Sequence, residues 1–229
     1  MTPDDAPADL DPLPDFLARA ARYLSAEPPG EGDPTSNPPA SDFRAWNPRG
    51  DHDLDGANPA IVPPRPHRRA AVLVPVVPRG DGLRVLFTVR ASHLRDHSGQ
   101  IAFPGGKIDP GDATPAEAAL REAQEEVGLM AESIRVLGYL DPYLSATGFL
   151  VLPVLGLVDP AARLSVNPQE VAATFEAPLI HLLDRSERRI EQAVWRGRQR
   201  RYYAITYGEF RIWGVTAGIV NNLHERLYP

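Results

Sequence analysis

The sequence predicts an α/β fold in which helices sandwich a mixed β-sheet, and three observations carry that prediction. A β-branched apolar run beginning at Arg69 is followed, across the turn-forming RGDG, by an alternating partner, LRVLFTVR. A helix marked at both ends lies between further strand-like segments, and an amphipathic helix closes the chain. With 229 residues, 43% of them hydrophobic, the chain can bury one sizeable core, so one principal domain is expected.

The elements follow in order. Residues 1–66 contain 14 of the 25 prolines, in strings such as EPPGEGDPTSNPPA that lack backbone donors and cannot hold a helix or a central strand. They form an acidic, Pro-rich leader ahead of a domain spanning 67–229. One island in it, Asp15 to Leu24, sets Phe16, Leu17, Ala20 and Leu24 at helical spacing and predicts a short helix docked on the surface. The hairpin AAVLVPVV–LRVLFTVR opens the sheet. Further strands are expected at Ile134 to Leu140, Leu150 to Val158, Arg189 to Trp195 and Arg200 to Thr206, the last two joined through Gly197. The final helix, from about Val215 to Leu227, carries Ile219, Val220, Leu223 and Leu227 on one side. No internal repeat is present.

Composition excludes several classes of function. Without Cys there is no disulfide framework, thiolate nucleophile or sulfur-bound zinc, so a metal must sit on oxygen or His ligands. The net charge of −6 is concentrated in residues 1–60, which hold 12 Asp or Glu against 4 Arg; the remainder, with 18 acids against 20 bases, lacks the basic footprint a nucleic-acid partner requires. No apolar run approaches the ~18 to 20 residues that cross a bilayer, and the acidic start MTPDDAPADL is unlike a secretory leader. The expectation is a cytoplasmic protein with no membrane association and a small-molecule partner. Its oligomeric state is left open.

The central helix carries the chemistry. Thr114 caps it, Pro115 suits its first position, Glu117 completes a capping box, and Gly128 supplies the left-handed terminator. Inside it, ALREAQEEVGL sets Glu122, Glu125 and Glu126 at i, i+3 and i+4, which predicts three carboxylates on one face. A Glu-rich helix usually presents a solvated face. Here, however, Ala116, Ala119, Leu120, Ala123 and Val127 line the opposite side, and a Gly-rich loop, PGGKIDPGD, leads into the helix. Clustered carboxylates beside exposed loop carbonyls suit a hard cation bridging to substrate phosphate, Mg²⁺ or Mn²⁺.

The segment Gly106 to Leu129, GKIDPGDATPAEAALREAQEEVGL, resembles the Nudix box, and REAQEEVGL from Arg121 to Leu129 fits its second half throughout. The first half has one extra residue between Gly106 and Arg121, and Asp112 fills the early acidic position. The coenzyme A diphosphatase branch of that family has the same longer loop. Its upstream pattern is similar to residues 86–106, LFTVRASHLRDHSGQIAFPGG: Thr88, Arg90, Ala91, Arg95, Gly99, Phe103, Pro104, Gly105 and Gly106 fall in place, with Phe87 where a second Leu is expected. The resemblance is strong over Ala70 to Leu129 and weaker through NPQEV near Glu170 and IWGVTA near Trp213; the first 60 residues lie outside it.

This resemblance implies a Nudix-type α/β/α sandwich and metal-dependent hydrolysis of the diphosphate of coenzyme A, giving 4′-phosphopantetheine and adenosine 3′,5′-bisphosphate. It makes Glu122 and Glu126 the principal metal ligands, joined by Glu125 and the Gly106 carbonyl. Arg121 is a brace for these carboxylates or an ordinary surface Arg. The general base comes from the box, where Glu125 is the candidate, or from a later loop, where Glu170 is. Arg90 and Arg95 are placed to grip phosphate or to fix the loop around Phe103, with Phe103 and Gly105 beside the substrate. His93 and His97 are read as loop residues, and Arg196 to Arg201 as a solvated hairpin or a contact for the 3′-phosphate. Two alternatives stay open: a diphosphatase for another nucleotide-linked metabolite such as ADP-ribose or a dinucleotide, and a non-catalytic nucleotide-sensing module. The second would make the full Glu set superfluous and calls for a DNA-binding segment that the sequence lacks.

Overall fold

The computed structural model describes residues 13–28, 48–55, 67–93, 99–195 and 197–229. Its main sheet is built on two long neighbours, β2 (Arg68–Arg79) and β8 (Phe149–Val158), paired in parallel. Beyond β2 lie β3 (Gly82–Arg90), the hairpin partner, then β4 (Ile101–Ala102) and β9 (Val171–Pro178), which both pair with β3 antiparallel. Beyond β8 lie β6 (Ile134–Tyr139) and β7 (Tyr143–Leu144), both antiparallel to it, and β1 (Arg49–Gly50) runs parallel to β7. The short β5 (Gly105–Lys107) pairs antiparallel with the first part of β2. Among the described residues this gives a nine-stranded mixed sheet and a second sheet of β10 (Arg188–Trp195), β11 (Arg198–Tyr207) and β12 (Phe210–Trp213).

Side-chain alternation along β2 makes the layers. Ala71, Leu73 and Val77 pack on one face with Ala118, Ala119, Ala123 and Val127 of α2 (Pro115–Val127). Ala70, Val74 and Val76 pack on the other with residues of α1 (Leu13–Tyr23), α3 (Leu179–Leu183) and α4 (Val215–Leu227). Successive β-strand side chains point to opposite faces, so an unbroken apolar run is what a strand covered on both sides requires. The expected α/β sandwich with a mixed sheet is observed.

Helix α1 docks through the side its spacing marks: Phe16 is fully buried and Ala20 nearly so, and the Arg19 guanidinium reaches the Leu227 carbonyl at 3.3 Å. One difference from the sequence reading concerns the sheet. Strand β9, absent from the expectation, reads VAATFEAP, with alternation interrupted by half-buried residues, because it pairs along one edge of β3. No helix among the described residues is long and apolar enough to cross a membrane.

Candidate active site

The caps of α2 fix where its carboxylates sit. Thr114 Oγ1 accepts the Glu117 amide at 3.1 Å, while the Glu117 carboxylate accepts the amide of Ala113, one residue before the cap, at 2.9 Å. At the other end Gly128 has φ 68°, and its amide reaches the Gln124 carbonyl at 2.9 Å. A side chain there would be strained by the left-handed backbone and would also strike Ser165.

Arg121 ties the preceding loop to the helix. Its Nε and Nη2 donate to the two Asp112 oxygens, both at 3.0 Å, its Nη2 also to the Lys107 carbonyl at 3.1 Å, and its Nη1 to Glu122 at 3.1 Å and Glu125 at 3.3 Å. Asp112 in turn accepts the Asp109 amide at 2.8 Å. The Arg121 hydrogen bonds hold the Asp112 carboxyl below its usual range, and that same pairing raises the guanidinium above its own. Arg121 thus links Asp112 and the preceding loop to Glu122 and Glu125.

The three glutamates do not share one solvated face. The Glu125 side chain is 54% exposed and that of Glu122 15%, whereas Glu126 is 3% exposed. Glu126 Oε2 accepts the Gly105 amide at 3.2 Å, and Arg90 Nη1 stands 4.0 Å from Oε1. Burial pushes this carboxyl up to about 7; the Gly105 amide and Arg90 oppose the shift, and the charges of Glu122 and Glu170 add to it. Glu122 is raised as well, chiefly by burial and against its bond to Arg121. The glycines are required by close approach: a Cβ on Gly106 would run into the Glu122 carboxylate, and one on Gly105 into the backbone of β2.

Glu170 arrives from a separate loop that is stitched to the end of α2. Ser165 and Asn167 donate their amides to the carbonyls of Val127 (2.7 Å) and Glu126 (2.9 Å), the Asn167 carbonyl accepts from Glu170 and Val171, and Asn167 Nδ2 donates to the Glu170 carboxylate at 3.2 Å. The Glu170 carbonyl receives the Ala91 amide at 2.8 Å, which draws the end of β3 to the same point. Asn167 was not singled out from sequence, although the Asn-Pro turn ahead of Glu170 marks a residue able to organise that loop.

These residues bring an all-oxygen donor set together around a buried, under-compensated carboxylate. Glu126 and Glu122, with Glu170 near enough to raise both, form a concentration of negative charge that a hard divalent cation neutralises, so the chemistry of the set fits Mg²⁺ or Mn²⁺. Among the described residues no three His, Asp or Glu side chains stand in a converged metal-binding group.

Of the other expected site residues, Arg90, Gly105, Gly106, Glu122, Glu126 and Glu170 meet in one place. Arg90 Nε is buried without a hydrogen-bond partner among the described residues. Phe103 is buried and stacks on Phe87 at 5.0 Å between centroids, so it supports the loop from beneath and does not present a face to substrate. Arg95 and His97 lie outside the described residues. His93 Nε2 pairs with the Gln169 carbonyl at 3.0 Å, as a loop residue does. In the Arg-rich hairpin, Arg201 Nη1 donates to the Leu54 carbonyl at 2.6 Å, while Arg196 and the Arg198 side chain are outside the described residues.

Comparison with known proteins bears on this site. The NUDIX domain profile matches residues 66–195. A protein of Enterobacter sp. (strain 638) named "Uncharacterized Nudix hydrolase NudL" is 44% identical over 156 residues, covering 68% of this chain and 81% of that protein. Its namesake in Escherichia coli (strain K12) is 43% identical over 158 residues, with 69% and 81% covered. Among solved structures, a Nudix hydrolase from M. Smegmatis, RenU, is 26% identical with a TM-score of 0.43, over 49% of this chain and 71% of that one.

Proposed function

Because the chain belongs to the NUDIX family, and so is a hydrolase acting on phosphoanhydride bonds, we propose that its substrate is coenzyme A or a close derivative, cleaved at the diphosphate to 4′-phosphopantetheine and adenosine 3′,5′-bisphosphate. The observation that carries this reading is the meeting at Glu126 of two separate sequence motifs. The carboxylate from the α2 box is held by the Gly105 amide and faced by Arg90, both from the segment 86–106 that resembles the coenzyme A branch.

Nudix hydrolases generally use divalent metal ions, and here Glu122 and Glu126, with Glu125 and the Gly106 carbonyl, are the groups that would hold one. When bound, such an ion neutralises charge on the phosphate oxygens and makes a water acidic enough to attack. The protein's own groups do the rest. Arg90, which faces Glu126 and whose Nε has no hydrogen-bond partner among the described residues, binds a phosphate oxygen in this reading. Arg121 keeps Glu122 and Glu125 aligned by anchoring to Asp112 and the loop. Glu170, oriented by Asn167, takes the proton of the attacking water, and Glu125, more exposed, is the alternative acceptor.

The test is product identification by mass spectrometry after incubation with coenzyme A and Mg²⁺ or Mn²⁺, against a chelator control. Metal-dependent appearance of 4′-phosphopantetheine and adenosine 3′,5′-bisphosphate supports the proposal; intact coenzyme A with both metals refutes it.

A further inference from the structure

The second sheet ends on an edge with which no described strand pairs. Among the described residues β10 has β11 as its one strand neighbour, whereas the opposite edge strand, β12, packs against α4 and β4. An unpaired edge presents a row of backbone N–H and C=O groups, which proteins ordinarily blunt with Pro, Lys, a bulge or short length. The main sheet follows that rule, since β6 and β9 each meet their neighbour through a register shift. Strand β10, RRIEQAVW, instead runs eight residues in unbroken register with β11 and contains neither Pro nor Lys. It also carries the two most exposed large hydrophobic side chains among the described residues, Ile190 at 50% and Val194 at 76%. Strand alternation puts both on one side, with Gln192 between them. Across the hairpin Val194 meets Gln199, so its own sheet offers it no apolar neighbour opposite.

We propose that two copies of the chain meet at this edge, β10 against β10, antiparallel about a two-fold axis at Gln192, so that two three-stranded sheets join into one. A two-fold contact must be complementary to itself, and the register decides whether it is. Residues directly opposite in an antiparallel ladder share a side. With Gln192 opposite its own copy, Ile190 of each chain faces Val194 of the other and Glu191 faces Ala193, so both exposed aliphatics are covered and no like charges stand directly opposite. Centring the pair on Glu191 would set two carboxylates against each other. Centring it on Ile190 would leave Val194 beyond the ladder. Near the Gln192 axis the Glu191 charge is already met within each copy by Arg211. Two short strands make an interface at the small end of the range for specific complexes, so the association is reversible and concentration-dependent.

The experiment exploits a chain that has no cysteine of its own. Opposite Cα atoms in an antiparallel pair lie about 4.5 to 5.5 Å apart, within reach of a disulfide. Gln192→Cys should therefore cross-link to its copy on mild oxidation at least about tenfold more than Ala193→Cys, whose copy is offset by two residues and lies roughly 8 Å away. Sedimentation velocity on the full chain should show a reversible dimer for wild type, kept by Val194→Ile. Val194→Lys should weaken it at least about tenfold, with the circular dichroism of the chain unchanged because that side chain is already mostly exposed. A wild type that stays monomeric across the concentration series, a dimer indifferent to Val194→Lys, or equal cross-linking at positions 192 and 193 overturns the proposal.

Discussion

Replacing Glu126 by Gln separates the cost of a buried carboxylate from its use. The substitution keeps shape and an oxygen to accept the Gly105 amide, and removes only the charge. Glu126 sits at about 7 where 4.5 is ordinary, so holding it ionised costs the metal-free fold about 3 kcal/mol, at ~1.4 kcal/mol per unit. Near pH 4 the carboxyl is protonated in folded and unfolded chains alike, and the variant gains nothing. Between 4.5 and about 7 the unfolded chain releases its proton first, so wild type loses stability as pH rises, and by about pH 8 the whole difference is expressed. Melting in chelator should therefore show Glu126→Gln above wild type by roughly 6 to 12 °C at pH 8 and level with it at about pH 4. A solvated like-charge face would give only about 0.2 to 0.5 kcal/mol. With Mg²⁺ the order of effects reverses: wild type should gain more from metal than the variant, and the variant's rate should fall by at least ~10²-fold. A melting difference below about 1 °C at pH 8 would refute the buried-carboxylate argument. Near wild-type turnover with an undiminished metal-induced shift would remove Glu126 from the ligand set.

Arg90→Gln should raise KM for the diphosphate substrate at least about tenfold with little change in melting temperature; steady-state kinetics with an unchanged KM would detach Arg90 from the phosphate. Glu170→Gln should lower kcat by about 10² to 10⁴ while metal-induced stabilisation persists, and a near-normal kcat would pass the role of base to Glu125. Phe16→Ala should cost about 3 to 5 kcal/mol in denaturant melts because that ring is fully buried, whereas deletion of residues 1–12 should leave activity near normal; a large loss on that deletion would place the leader at the site.

Layering was legible where the pattern was periodic. The even and odd positions of β2 and the Ala-rich side of α2 name both faces of the sheet, and Thr114 and Gly128 mark the ends of α2. Strand β9 was not legible, since half-buried edge positions weaken alternation. At the site, the helical spacing of Glu122, Glu125 and Glu126 showed adjacency and left direction open: only the packing of α2 against β2 and β5 turns Glu126 inward and leaves Glu125 outside. The contact between Glu170 and the box spans a loop whose hydrogen bonds run backbone to backbone, from Ser165 and Asn167 to the end of α2. Backbone amides carry no residue identity, so the sequence could nominate Glu170 without showing that its loop is tied to the end of α2.

The central claim is the substrate, and the ratio of kcat/KM for coenzyme A to that for ADP-ribose, measured on wild type with Mg²⁺ and with Mn²⁺, tests it most directly. The account predicts a clear preference for coenzyme A with either metal. ADP-ribose or a nucleoside triphosphate turned over much better than coenzyme A would contradict the substrate assignment and leave the family membership intact.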